Sequence, residues 1–244
     1  MALKAVIFDL GGTLVSYPNP DKVSKHFYEK AAEIADEGMP KMDYQTLLKK
    51  LSEKYLEARQ VSFQNLKEAT FAESLKAALK ELGVEMASND QEYLLEILYG
   101  EFFGDQSKLI EGAEEILSAF RKARLQIGLI SNTPWPGVAH WGDMYYWGIM
   151  DYFHKGYFSS YEGIRKPHPE LFRKVLREMK LTPDEAIYVG DNFSRDVVGP
   201  NSIGMKAIWI STKSVPEGQT LNGWQVASLM EVKALVETLT KEEK

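Results

Sequence analysis

The sequence contains no cysteine. Disulfides, zinc–thiolate centres, iron–sulfur clusters and a cysteine nucleophile are therefore excluded. Positive charge is also scarce, with 29 Lys and Arg against 35 Asp and Glu, a net charge of −6. That argues against nucleic acid as a partner, because duplex binding needs a dense basic face. No apolar run approaches the ~20 residues of a membrane-spanning helix. The stretch Ala5-Val6-Ile7-Phe8 is broken by Asp9, too early for the core of a secretory signal. These absences lead to the expectation of a soluble, cytoplasmic protein without a membrane or nucleic-acid partner. What is present is ordinary for a globular chain: 244 residues, 44% hydrophobic and 26% charged. That suffices for one large domain, or for a domain carrying an insert, around a sizeable core.

The pattern changes twice along the chain. Residues 4–8 read as a buried strand leaving into a tight Gly-Gly loop. From about Pro20 to Phe103, Leu and Ala recur at helical spacing among Lys and Glu. This predicts helices near 20–37, 43–59, 66–82 and 89–103, separated by Gly38-Met39-Pro40, by Ser62 to Asn65, and by Gly83 with Ser88-Asn89-Asp90. After Gly104 strands alternate with helices. Strands are predicted at 126–130, 155–158, 186–189 and 206–210, and helices near 112–123, 169–179, 194–202 and 228–239. Alternation of this kind implies a mostly parallel sheet covered on both faces. The fold class is thus α/β, a Rossmann-like core of residues 1–16 and 107–244 with an inserted helical cap of residues 17–106. Turn-forming joints are expected at Ser16–Pro20 and Gly104–Lys108.

Three predicted strands run into polar residues: Phe8 into Asp9, Ile130 into Ser131-Asn132, and Val189 into Gly190-Asp191. In an open parallel sheet, ligands bind in the crevice outside the carboxyl ends of the strands. Asp196, at the start of the next helix, can face the same crevice. Lys166 precedes a helix whose first residue follows a second proline, so its backbone is constrained on both sides. Carboxylates, one lysine and free N–H groups describe a site for a divalent cation and an oxyanion. Mg²⁺ takes carboxylates and phosphate oxygens, and lysine acts on phosphate as a point charge.

Phe8-Asp9-Leu10-Gly11-Gly12-Thr13-Leu14, Ile130-Ser131-Asn132, Arg165-Lys166-Pro167-His168-Pro169 and Gly190-Asp191 through Asp196 come in an order and spacing that resembles the four motifs of the haloacid dehalogenase superfamily. The helical insert is similar to the cap of its first subclass. The resemblance implies a Mg²⁺-dependent phosphatase that hydrolyses a small organic phosphate, as a monomer or homodimer. It makes Asp9 the nucleophile, forming an aspartyl-phosphate that water hydrolyses. It assigns Mg²⁺ to Asp9, the carbonyl of Gly11 and Asp191. The phosphoryl oxygens go to the Leu10–Gly11 loop, Ser131, the N–H of Asn132 and Lys166, and Asp196 orients Lys166 or a water molecule. A preorganised cluster of positive charge is the main catalytic device such chemistry needs.

One residue departs from the pattern. Phosphatases of the superfamily usually carry a second Asp two residues after the nucleophile, which protonates the departing oxygen; here that residue is Gly11. General acid–base help is worth about 10²- to 10⁴-fold, so its loss is expected to favour activated leaving groups. Two alternatives remain: a 2-haloacid dehalogenase, whose first available arginine after motif one is Arg59, and a weak relative that binds phosphate ligands without turnover. The histidines His140, His154 and His168 are expected to serve packing, and His26 is expected at the surface of a cap helix. The aromatic cluster Trp135, Trp141, Tyr145, Tyr146, Trp147 and Tyr152 is expected at the cap–core seam or a dimer contact. Tyr17, beside the first joint, is a specificity candidate.

Overall fold

The structure, a computed structural model, describes residues 3–17, 25–103 and 107–242. Six strands form one parallel sheet: β1 (Ala5–Phe8), β4 (Gln126–Ser131), β5 (Lys155–Phe158), β6 (Ala186–Gly190), β7 (Lys206–Ile210) and β8 (Gly223–Val226), in the order β5-β4-β1-β6-β7-β8. The central strands β1 and β6 are buried at every position, as strands covered on both faces must be. Side chains of β1 alternate: Val6 and Phe8 join the cluster containing Leu117 and Phe120, while Ala5 and Ile7 join the one containing Leu171 and Phe172.

Two helices show how the faces are covered. α5 (Ala113–Lys122) buries Ile116, Leu117 and Phe120. α8 (Pro169–Met179) starts with proline at its first turn, caps its Glu170 N–H with His168, and buries Leu171, Phe172, Val175, Leu176 and Met179. The expected strand and helix positions of this α/β, Rossmann-like region hold, with two additions. β8 follows a loop at Asn222 and is only partly buried, and α6 (Gly137–Tyr146) covers much of the aromatic cluster.

Between the strands β2 (Val15–Ser16) and β3 (Lys108–Leu109) lie four helices: α1 (Lys25–Gly38), α2 (Tyr44–Asn65), α3 (Phe71–Leu82) and α4 (Ser88–Phe103). Asp43 and Thr70 cap the N-termini of α2 and α3, and Gly83 ends α3 in the left-handed region. Leu47, Leu48, Leu51, Leu75 and Leu98 form a separate core that also takes in Trp135. β2 and β3 pair antiparallel, Val15 with Leu109 and Ser16 with Lys108. The remainder of the two expected joints lies largely outside the described residues, as does the side chain of His26.

Candidate active site

The strand order reverses around β1. From there the chain builds outward on one side through β4 and β5, and on the other through β6, β7 and β8. The crevice at this reversal receives the ends of three neighbouring strands. Phe8 pairs with Leu129 on one side and Val189 on the other, so Asp9, the end of β4 and Gly190 emerge level with one another.

Asp9 is buried, and its N–H donates to Val189 O at 2.9 Å. Its Oδ1 accepts from the N–H of Leu10 at 2.8 Å and from Lys166 Nζ at 2.8 Å. Lys166, 1% exposed, also donates to Asp196 Oδ1 at 2.8 Å and to the hydroxyl of Tyr188 at 2.8 Å. Tyr188 in turn donates to Ile130 O at 3.0 Å. All three ammonium protons are thereby occupied. A phosphoryl oxygen reaching Lys166 has to take over the bond now made by Asp9.

The backbone of Lys166 is fixed by the side chain of Asn132. Lys166 N–H donates to Asn132 Oδ1 at 2.8 Å, and Asn132 Nδ2 donates to Lys166 O at 3.0 Å. The Lys166–Pro167 peptide is cis. Ser131 is the last, buried residue of β4 and stands at the same crevice.

Asp196 sits in a π-helical turn, Phe193–Val197, begun by Asn192. Its Oδ2 accepts from Asn192 N–H at 3.0 Å. A Cβ on residue 190 would lie 2.4 Å from the Asp196 side chain, so only glycine permits this approach. Burial pushes the Asp196 carboxyl up to about 6, against the pull of Lys166. Asp191 is half-buried, and its carboxyl is raised first by burial and then by the charge of Asp9. Its Oδ1 has no hydrogen-bond partner. Gly12, with φ of +84°, passes so close that a Cβ there would lie 2.6 Å from Asp191 Oδ2.

Asp9, Asp191 and Asp196 each offer an oxygen within 4.8 Å of the others. Asp196 has spent both oxygens on Lys166 and Asn192, whereas Asp191 keeps an unfilled buried acceptor beside Asp9. An all-oxygen donor set with a surplus of negative charge fits a hard divalent cation such as Mg²⁺. It fits the pair Asp9 and Asp191 better than Asp196.

A model of the haloacid dehalogenase-like hydrolase family matches residues 3–204. The chain belongs to this family. Among curated relatives, this hydrolase is 33% identical to the glyceraldehyde 3-phosphate phosphatase of Pyrococcus furiosus over 41% of either chain, so the match spans less than half of that relative. It is 28% identical to the glyceraldehyde 3-phosphate phosphatase of Methanothermobacter thermautotrophicus over 97% of this chain and all of the relative. The crystal structure of a 2-haloacid dehalogenase from Pseudomonas syringae superposes on 97% of this chain and 99% of its own, with a TM-score of 0.66 and 22% identity, a likeness of fold.

Asp9, Leu10, Gly11, Ser131, Asn132, Lys166, Asp191 and Asp196, all singled out in the sequence, come together at or beside the crevice in this hydrolase. Tyr188 was not anticipated, because an aromatic in a buried strand reads as core. The other expectations divide. His168 and His154 accept backbone N–H groups of Glu170 and Ile127. Trp135 stacks on Phe71, Trp141 meets Phe158 edge-on, and Tyr145 and Tyr146 are exposed. Tyr17 and His140 join a polar network beside Gly11, described below. Among the described residues no helix is long and apolar enough to cross a membrane.

Proposed function

We propose that this hydrolase is a Mg²⁺-dependent phosphatase of a small organic phosphate, with Asp9 as the nucleophile. The observation that carries the reading is Lys166 Nζ held between Asp9 and Asp196, with the unpaired Asp191 oxygen beside Asp9. Leu10 N–H and Lys166 both engage Asp9 Oδ1, so Oδ2 attacks phosphorus, and as the phosphoryl group arrives both donors pass from Oδ1 to its oxygens. The bond from Oδ2 to phosphorus forms as the bond to the departing oxygen breaks. Water then hydrolyses the acyl phosphate, releasing inorganic phosphate and restoring the Asp9 carboxylate.

Lys166, Ser131 and the N–H groups at Leu10, Gly11 and Asn132 would hold the equatorial oxygens, where the charge of the transferring group is spread. Asp196 holds the Lys166 ammonium in position, 2.8 Å from its Oδ1. Mg²⁺, held by Asp9, Asp191 and the Gly11 carbonyl, would supply further charge neutralisation on the phosphoryl group. Residues 17–106 would act as a cap that closes over the substrate and excludes water, strengthening each of these charges. The glyceraldehyde 3-phosphate phosphatases among its relatives support a small phosphorylated metabolite as substrate. With glycine at position 11, turnover is expected to favour activated leaving groups. For the dehalogenase alternative, Arg59 is the earliest arginine, and it stacks over the Phe63 ring at 5.6 Å.

The test is hydrolysis of an aryl phosphate with Mg²⁺, with Asp9→Asn and a chelator as controls. Turnover lost in both controls supports the nucleophile and the metal together. No turnover from folded protein overturns the reading.

A further inference from the structure

Gly11 leaves a place where a side chain is missing, yet the space over it is covered. A Cβ on Gly11 would lie 3.1 Å from Tyr17 Cδ2 and 3.4 Å from Cε2. The Tyr17 ring is held edge-on by Phe103 at 4.8 Å and by His140 at 5.7 Å between centroids. Its hydroxyl lies 3.2 Å from His140 Nδ1. The same nitrogen is 3.1 Å from the Tyr99 hydroxyl, and His140 Nε2 is 2.6 Å from Thr133 Oγ1.

The direction of these hydrogen bonds can be worked out. Trp135 N–H donates to Thr133 Oγ1 at 3.1 Å, and the Tyr99 hydroxyl donates to Asp143. Suppose His140 carries its proton on Nε2. The buried Thr133 hydroxyl proton then has no acceptor among the described residues, an arrangement that costs a desolvated donor. With the proton on Nδ1 instead, Thr133 donates to Nε2, and Nδ1–H is shared between the Tyr99 and Tyr17 oxygens. Every fully buried donor of this network is then satisfied, and among the described residues the one hydroxyl proton of the network left without an acceptor belongs to half-buried Tyr17, beside Gly11. Burial holds His140 neutral, its pKa lowered to about 3, so the ring has a single proton to place.

We propose that Tyr17 donates this free hydrogen bond to the departing oxygen of the substrate, with His140 as its positioning residue. The inference rests on the phosphatase reading and deepens it. The Tyr17 phenol is raised by burial, then by Asp143, then by Asp9, which keeps it protonated, and its ring lies over Gly11, two residues from Asp9. Tyr17 therefore acts as a hydrogen-bond donor. The departing oxygen keeps the electron pair of the broken P–O bond, accepts the hydrogen bond from Tyr17, and takes its proton from water.

Tyr17→Phe keeps the ring over Gly11 and removes only the hydroxyl. Loss of one preorganised donor to a developing oxyanion costs about 10²- to 10³-fold. For Tyr17→Phe, kcat on an alkyl phosphate should fall by about 10²-fold, while kcat on an aryl phosphate, whose leaving group needs no such help, should change by less than about 3-fold. His140→Gln should lower the same alkyl-to-aryl ratio. In ¹⁵N-histidine-labelled protein, nitrogen NMR should show His140 protonated on Nδ1. Equal falls on both esters, no fall on either, or a proton on Nε2 would overturn the proposal. Wild-type protein inactive on both esters overturns the phosphatase reading and this inference with it.

Discussion

A methyl group on Gly12 would sit 2.6 Å from Asp191 Oδ2, on backbone with φ of +84° that side chains other than glycine rarely adopt. Gly12→Ala is expected to lose about 1–3 kcal/mol of stability through this strain, and to lower kcat by shifting Asp191; thermal unfolding and aryl-phosphate assays would check both. His140 makes a different prediction. Its folded pKa, about 3, lies below the ordinary histidine value, so unfolding takes up a proton between about pH 3 and 6.5. The stability that follows is present above this window and is lost as pH falls through it. Between pH 7 and pH 5, wild-type protein should lose about 2 kcal/mol more than His140→Gln in denaturant titrations. Equal losses would mean that His140 already binds a proton in the folded state. At this scale the sequence revealed placement at the crevice well and partnership poorly. Asp9 and Asp191 stand at strand ends and Lys166 in a proline-rich turn, so their meeting at one crevice could be read from position. Tyr17, Tyr99, Thr133, His140 and Asp143 come from separate stretches of chain, and only packing brings them together.

The loop between α2 and α3 is stitched to the sheet side of the molecule. Arg165 N–H donates to Leu66 O at 2.9 Å, Glu68 N–H to Gly163 O at 3.1 Å, and Phe71 N–H to Pro134 O at 3.0 Å. Glu68 Oε2 accepts from Ser159 Oγ at 2.6 Å, Glu68 Oε1 lies 3.5 Å from Arg165 Nη1, and the same Nη1 donates to Ser62 Oγ at 2.9 Å. Both charged side chains are buried, and removing one partner of such a pair leaves the other uncompensated, at a cost of about 3–5 kcal/mol. Glu68→Ala should approach that loss in chemical denaturation, whereas Glu53→Ala, in an exposed pair with Lys50, should leave the unfolding midpoint nearly unchanged. Elements with a strong period were legible: α8 and the all-apolar β1 and β6 lie where the pattern puts them. β8 was not, because Gly223-Trp224-Gln225-Val226 is short and only partly buried. The segment of α6 is crowded with aromatics and carries Gly137 and Gly142, which blurs any apolar stripe.

For the molecule as a whole, three carboxylates in one crevice are an electrostatic cost that a bound cation would reduce. If Mg²⁺ is held there as proposed, saturating it at about 100 times its dissociation constant would add about 2.7 kcal/mol, which for a chain of this size would raise Tm by about 5–10 °C. Asp191→Asn should abolish that rise. It should also be more stable than wild type in chelator, because the Asp191 carboxyl, raised by burial and Asp9, is costly to ionise in place. A Mg²⁺-induced rise in Tm that persists in Asp191→Asn would place the cation elsewhere.

The two-residue ribbon of β2 and β3 has a consequence for how the chain can change. Val15 faces Leu109 and Ser16 faces Lys108, so everything between Ser16 and Lys108 enters and leaves through a single narrow gate. The entropy of closing such a loop grows only by about 0.6 kcal/mol for each doubling of its length. The closure itself is therefore nearly indifferent to how much chain hangs from this gate. A replacement helical segment, longer or shorter, can hang from the same gate provided that it restores the contacts of Leu66, Glu68 and Phe71 with Arg165, Gly163, Ser159 and Pro134, while the strands go on holding Asp9, Lys166 and Asp191.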